Sequence, residues 1–182
     1  MKYEKASVMD TIETRRSVRN FSDDPVEDDI LNRCLEAARL APSWSNDQCW
    51  HFVVVNGKQA VDDLAIVPAH IKNAPAVVVA CGDPEKSGTW EGKDYYLVDV
   101  GIAVEHMILE AWELGLGSCW VGALKEQSIR KTFGIPDNIR VVAIIPLGYP
   151  ATKDTVQTKL ARKSGKSEDR KAPKEIIHFD KW

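Results

Sequence analysis

Three arginines fall within five residues near the start of the chain, in the run Thr14-Arg15-Arg16-Ser17-Val18-Arg19. A guanidinium is a planar fork of donors that matches a phosphate group, and a serine hydroxyl or backbone N–H beside it adds another donor, so this cluster suits a phosphate grip. A second group lies in Pro42-Ser43-Trp44-Ser45-Asn46-Asp47-Gln48-Cys49-Trp50, where Ser43, Asn46 and Gln48 sit among two indoles. Carboxamides donate and accept at once, which suits the polar edge of a flat heterocycle, while indole faces suit its π-surface. Together the two clusters describe a nucleotide-like ligand with a planar ring. Taken singly, the arginines read equally well as solvated surface charge.

Other chemistries find less support. Gly115-x-Gly117 follows a helical pattern rather than a strand and lacks a third glycine, so it reads as a helix stop, not a dinucleotide fingerprint. No phosphate-binding P-loop occurs, and no serine has the G-x-S-x-G context of a hydrolase nucleophile. His51, His70, His106 and His178 are scattered, and lone histidines are more often structural than catalytic. The pairs Asp23-Asp24, Asp28-Asp29 and Asp62-Asp63 flank helix starts, where they favour the helix dipole. Cys34, Cys49, Cys81 and Cys119 stand 15, 32 and 38 residues apart, without metal-ligand spacing. No residue is singled out as a catalytic acid or base, and no metal is expected.

The elements that must position these clusters follow from composition and periodicity. With 182 residues, 44% hydrophobic and 28% charged, the chain suits one globular domain over 1–182 with a core of its own. No stretch of about 18 uncharged apolar residues and no apolar leader occur, so neither a membrane span nor export is expected; four thiols without a disulfide pattern suit a reducing cytoplasm. The net charge of −3 is uneven: residues 1–150 hold 15 basic and 22 acidic side chains, residues 151–182 hold 9 and 5. A basic tail on an acidic body is too small a footprint for nucleic acid, and a small anion fits better.

Along the chain the spacing predicts a short helix over 7–15, leading into the arginines. Pro25 fits a first helical turn before a helix carrying Ile30, Leu31, Cys34, Leu35 and Ala38 at helical spacing, which ends before Pro42. Residues 42–50 read as a polar loop, 51–55 as a buried strand closed by Asn56-Gly57, 58–66 as a weak helix and 74–82 as a strong strand, a βαβ-like rhythm. Residues 83–94 read as a polar loop. The longest helix, 95–114, is apolar nearly all round and so should be central and covered. A short strand or turn at 118–123, a helix over 125–134 and a buried strand at 139–149 complete the core. Residues 151–172 are polar, and Lys174–Phe179 reads as a last strand-like piece after Pro173.

The blocks RRSVRNFSDDPV, LEAARLAPSWSNDQCWHFVVV, LGLGSCWVGAL, IPLGYP and DRKAPKEIIHF, in this order and across almost the whole chain, resemble the nitroreductase family of FMN-dependent oxidoreductases. The resemblance implies an α+β fold, an α-β-α sandwich about a mainly antiparallel sheet, assembled as an intertwined homodimer with two FMN sites at the interface. It implies that Arg15, Arg16, Ser17 and Arg19 serve the flavin phosphate and ring edge, with Arg170 and Lys171 completing the phosphate site. Pro42, Ser43, Trp44, Asn46 and Gln48 would come from the other subunit to the ring and ribityl chain, and Val121 and Gly122 would meet flavin N5. The basic tail 151–182 would embrace the partner. NADH or NADPH would reduce the flavin, and a small electron-poor acceptor such as a nitroaromatic or quinone would reoxidise it in ping-pong fashion; the rival is a non-catalytic flavin-binding or sensing protein of the same fold. Cys49 stands where proline is common in the family, and the short segment between Cys81 and Tyr95 implies a reduced lid.

Overall fold

The structure, a computed structural model, describes residues 7–64, 66–69, 71, 73–151 and 170–182. Helix α1 (Val8–Thr14) begins at a capping box in which the Ser7 hydroxyl accepts from the Asp10 N–H and the Asp10 carboxylate accepts from the Ser7 N–H. Helix α2 (Asp28–Arg39) starts three residues beyond Pro25, so this proline lies outside the helix; Asp28 and Asp29 occupy its first turn instead. Its buried residues Leu31, Cys34 and Ala38 follow the predicted helical spacing.

Strands β1 (Trp50–Asn56), β2 (Ala76–Gly82), β5 (Gly117–Ser118) and β6 (Arg140–Gly148) form one sheet in the order β1-β2-β6-β5, every pair antiparallel. Helix α3 (Lys58–Leu64) links β1 to β2. The βαβ-like rhythm therefore does not produce a parallel pair, because a helix this short turns the chain back beside its predecessor rather than crossing over.

Two apolar layers close on the central strands. Ala76, Val78, Ala80, Ala143, Ile145 and Leu147 face α2 and helix α4 (Tyr95–Glu113), while Val77, Val79, Cys81, Val141 and Ile144 face Phe21, Val61 of α3 and Ile129 of helix α5 (Glu126–Phe133). A register shift opposite Ala80 and Cys81 leaves Val142 as an extra residue on β6, which puts Val141 and Ile144 on one face. The α4 surface is only partly covered: Leu97 and Val98 in its first turn stand about half exposed, and Val8, Met9 and Ile12 are exposed on α1, which packs against the other end of α4 through Thr11–Glu113 and Thr14–Trp112 hydrogen bonds.

Two further expectations change. The segment 83–94 is built rather than irregular, with a 3-10 turn at Pro84–Lys86 and a hairpin of β3 (Thr89–Trp90) and β4 (Lys93–Asp94) around Glu91 and Gly92, both at positive φ as such a turn requires. Lys174–Phe179 forms no strand: a 3-10 turn spans Pro173–Glu175, and 170–182 is exposed throughout, with Ile176, Ile177, Phe179 and Trp182 uncovered. Its apolar run reflects surface without cover, a pattern that periodicity does not distinguish from a strand. The expected polar stretch 151–172 lies largely outside the described residues.

Candidate functional site

After α1 the chain straightens through the arginine cluster and runs beside the sheet. Ser17 bridges Ser118 in parallel, the Val18 N–H donates to the Ser118 carbonyl at 2.8 Å, and the Ser22 N–H donates to Tyr149 at 2.8 Å. This close lie needs two glycines. A Cβ on Gly117 would stand 2.4 Å from Val18 Cγ2, and one on Gly148 would stand 2.5 Å from Pro75 Cδ.

The arginines differ in what they already hold. Arg15 Nε lies 3.8 Å from Glu105 Oε1, a loose pair in which Glu105 is half exposed. Arg16 donates to the carbonyls of Glu13 at 2.6 Å and Arg15 at 2.8 Å, so it closes the end of α1. Arg19 stands near Cys119, whose thiol is pushed up by burial against the opposing pull of that guanidinium. Ser17 is exposed. Of the pair expected at a flavin edge, Val121 commits its N–H and its carbonyl to Ile144 at 3.1 and 3.0 Å and is buried. Gly122 is exposed beside the indole of Trp120 and makes no hydrogen bond among the described residues. The structure thus sets Ser17 and Arg19 beside the 117–122 segment, with Arg15 over Glu105 of α4.

The amide loop sits elsewhere. Residues Trp44–Asn46 make a 3-10 turn in which the Asn46 N–H donates to Ser43 and the Asp47 N–H to Trp44. The Ser43 hydroxyl accepts from the Gln48 N–H at 2.9 Å, and Gln48 Nε2 donates to the Asn46 carbonyl. Pro42, Asn46 and Gln48 are exposed. The Trp44 N–H donates to Asp99 Oδ1 of α4 at 2.9 Å, and its indole packs 4.4 Å from the Tyr95 ring. Asp99, Ser87, Gly88 and Tyr95 were not singled out from the sequence; their partners lie up to 55 residues away, beyond any local pattern.

The ladder shows where the segments that carry the clusters meet the sheet. Trp50 pairs with Gly82 and Gly82 with Arg140 at one end of the sheet, whereas Ser17 pairs with Ser118 and Ser118 with Leu147 at the other. The seven steps of β6 between Arg140 and Leu147 span about 23 Å. Ser17 and the strand entry at Trp50 therefore meet the sheet at opposite ends, while Arg15 reaches Glu105 and Trp44 reaches Asp99, both on α4. Arg170 and Lys171 lie exposed at the head of the described tail segment. Among the described residues no group of three or more His, Cys, Asp or Glu could hold a metal ion, and no helix is long and apolar enough to cross a membrane.

Comparison with known proteins gives a consistent picture. A profile described as the nitroreductase family matches residues 12–69 and 66–149. A relative from Archaeoglobus fulgidus, provisionally named an NADH dehydrogenase/NAD(P)H nitroreductase, is 35% identical over 179 residues, covering 94% of this chain and 96% of its own. The crystal structure of a nitroreductase family protein from Clostridium difficile 630 superposes with a TM-score of 0.80 at 31% identity, over 97% of this chain and 99% of that one. An FMN-dependent nitroreductase from Clostridium difficile R20291 superposes at 0.75 with 29% identity, over 96% and 99%.

Proposed function

Because the chain belongs to the nitroreductase family, we propose that it is an NAD(P)H-dependent flavin oxidoreductase that binds FMN between two copies of itself and passes reducing equivalents to small electron-poor acceptors such as nitroaromatics or quinones. The observation that carries this reading is that Ser17 and the amide loop's strand entry at Trp50 meet the sheet at ladder positions about 23 Å apart along β6, in a chain that leaves apolar surface on α1 and α4 exposed. A two-fold axis perpendicular to the strands sets one end of a chain against the opposite end of its partner, so a symmetric homodimer of this kind joins the guanidinium cluster of one copy to the amide loop of the other while covering Val8, Met9, Ile12, Leu97 and Val98.

The residues present fit FMN. Arg15, Arg19 and Ser17 offer donors to the phosphate, with Arg170 and Lys171 of the tail as further cations and Arg16 holding the segment in place. Gly122 offers an exposed, uncommitted N–H to a ring edge. From the second copy, Ser43, Asn46 and Gln48 present amide and hydroxyl groups to the ring and ribityl chain, with Pro42 and Trp44 shaping the wall. Bound FMN supplies hydride acceptance from NADH or NADPH and delivery to the acceptor; the chain's own residues bind, orient and leave one face for both substrates in turn.

The test is colour and turnover. Purified dimer should be yellow with extractable FMN, bleach anaerobically with NADH or NADPH, and regain colour with benzoquinone, giving parallel double-reciprocal lines when donor and acceptor are varied together. Yellow protein that neither donor bleaches would refute the reductase reading, and a protein that takes up no flavin on reconstitution would refute the site.

A further inference from the structure

The loop that carries the amide cluster is held in an unusual backbone. Ser45, Asn46 and Gln48 all have positive φ, at 48°, 63° and 51°, so three non-glycine residues of a four-residue stretch occupy the left-handed region. Such conformations persist where surrounding contacts over-determine them. Their side chains nevertheless point no contact at the core: all three residues are exposed, and the hydrogen bonds of the stretch run within the loop. The restraint must come from the ends.

One end is Asp99. Asp99 is only 2% exposed, and its carboxylate gathers three donors from two segments: the Trp44 N–H at 2.9 Å and the Cys49 thiol at 3.6 Å from the two sides of the amide loop, and the Ser87 hydroxyl at 2.8 Å. Burial and this same carboxylate push the Cys49 thiol up to about 11, so it stays a protonated donor at neutral pH. The other restraint is steric. A Cβ on Gly88 would lie 2.2 Å from Trp44 Cε2 and 2.4 Å from Nε1, so the indole rests against bare backbone at the foot of the 89–94 hairpin, with the Tyr95 ring tilted against it at 4.4 Å. The Tyr95 N–H in turn donates to the Gly88 carbonyl at 3.0 Å.

We infer that Asp99 is a positioning residue that, with Gly88 as the seat of the Trp44 indole, clasps the 43–48 loop to the 84–94 segment and presets its amide groups for the ring of the bound ligand. A loop set in advance avoids the ordering cost that a free loop meets on binding. The inference rests on the flavin reading above, and it concerns the ring end of the ligand alone, because, among the described residues, Asp99 and Gly88 touch the amide loop and none of the arginine cluster, while Ser17 pairs at the far end of the sheet. The clasp also joins the hairpin to the loop, so the short segment after Cys81 acts as a brace for the site more than as a cover over it.

Gly88→Ala tests this without altering any group that meets the ligand, and Asp99→Asn tests the carboxylate while sparing an acceptor for the Trp44 N–H. In Gly88→Ala, FMN and riboflavin should both bind about tenfold more weakly, by the same factor, because the phosphate end is untouched. The visible absorption band of bound flavin should shift, and amide hydrogen exchange over residues 43–48 of the flavin-free dimer should accelerate. Asp99→Asn should show the same pattern at smaller size. Cooperatively folded variants with wild-type affinity for both flavins and unchanged exchange would overturn the clasp, as would a loss confined to FMN. If the wild-type protein binds no flavin, the flavin reading fails on that result, while the exchange measurement still decides whether Asp99 and Gly88 hold the loop.

Discussion

Replacing Arg15 with alanine separates phosphate recognition from structure more cleanly than any other change in the arginine cluster. The only ion pair Arg15 makes among the described residues is the 3.8 Å approach to half-exposed Glu105. Pairs of that kind are worth between zero and about 1 kcal/mol, so the fold should lose little. A charge-assisted bond to a phosphate contributes about 1.5–3 kcal/mol, which converts to a loss of roughly 10–150-fold in FMN affinity. Riboflavin, which lacks the phosphate, should bind Arg15→Ala and wild-type protein alike. Arg16 supplies the contrast, since its guanidinium holds the Glu13 and Arg15 carbonyls. Arg16→Ala should cost about 1 kcal/mol of stability, seen as a lower Tm, together with any change in binding. The assay is quenching of flavin fluorescence on titration of flavin-free protein, run in parallel with FMN and riboflavin. Equal losses for both ligands in Arg15→Ala would refute the phosphate assignment.

Three other outcomes follow from the same contacts. Gly117→Ala drives a Cβ to 2.4 Å from Val18 and should cost about 1–3 kcal/mol in urea unfolding, while weakening FMN because Val18 carries Ser17 and Arg19 on either side. Buried Cys34 is pushed up to about 12 and Cys81 to about 11, chiefly by burial, whereas the unfolded thiols titrate near 9. Above pH 9 the unfolded chain therefore releases protons that the folded chain keeps, so stability is intact below that pH and falls as pH rises towards 11–12; Cys34→Ala should flatten the decline in urea midpoint measured from pH 8 to 10.5. Truncation after Gly165 removes Arg170, Lys171 and the exposed apolar residues from Ile176 to Trp182, and should leave a colourless protein of lower mass by light scattering; a yellow dimer would reject the embracing tail.

What could be read from sequence divides along a physical line. β2 was legible because all seven of its residues are buried, and α2 because Leu31, Cys34 and Ala38 repeat at helical spacing; in both, burial writes its own period into neighbouring positions. The 89–94 hairpin has two-residue strands with exposed faces, so it leaves no period, and its Glu91-Gly92 turn lacks the asparagine or aspartate that usually marks such a reversal. Ile176 and Ile177 mimicked a strand because an apolar pair looks the same whether a sheet or a second chain is to cover it. The site behaves likewise. Arg15 and Asn46 were legible by side-chain chemistry, since a guanidinium and a carboxamide carry their preferences with them. Asp99 was not: on α4 it is one acidic residue in an apolar run, and it acquires a role only from Trp44 and Ser87, which the fold alone brings to it. Gly88 and Gly117 are more extreme, because their contribution is the absence of a side chain where Trp44 or Val18 must lie. Ligand chemistry is thus encoded residue by residue, while the geometry that makes it usable is encoded in pairs distant along the chain. For the guanidinium cluster and the amide loop, whose segments meet the sheet at ladder positions about 23 Å apart, the completing pair under the proposed reading is the one that two copies would form with each other.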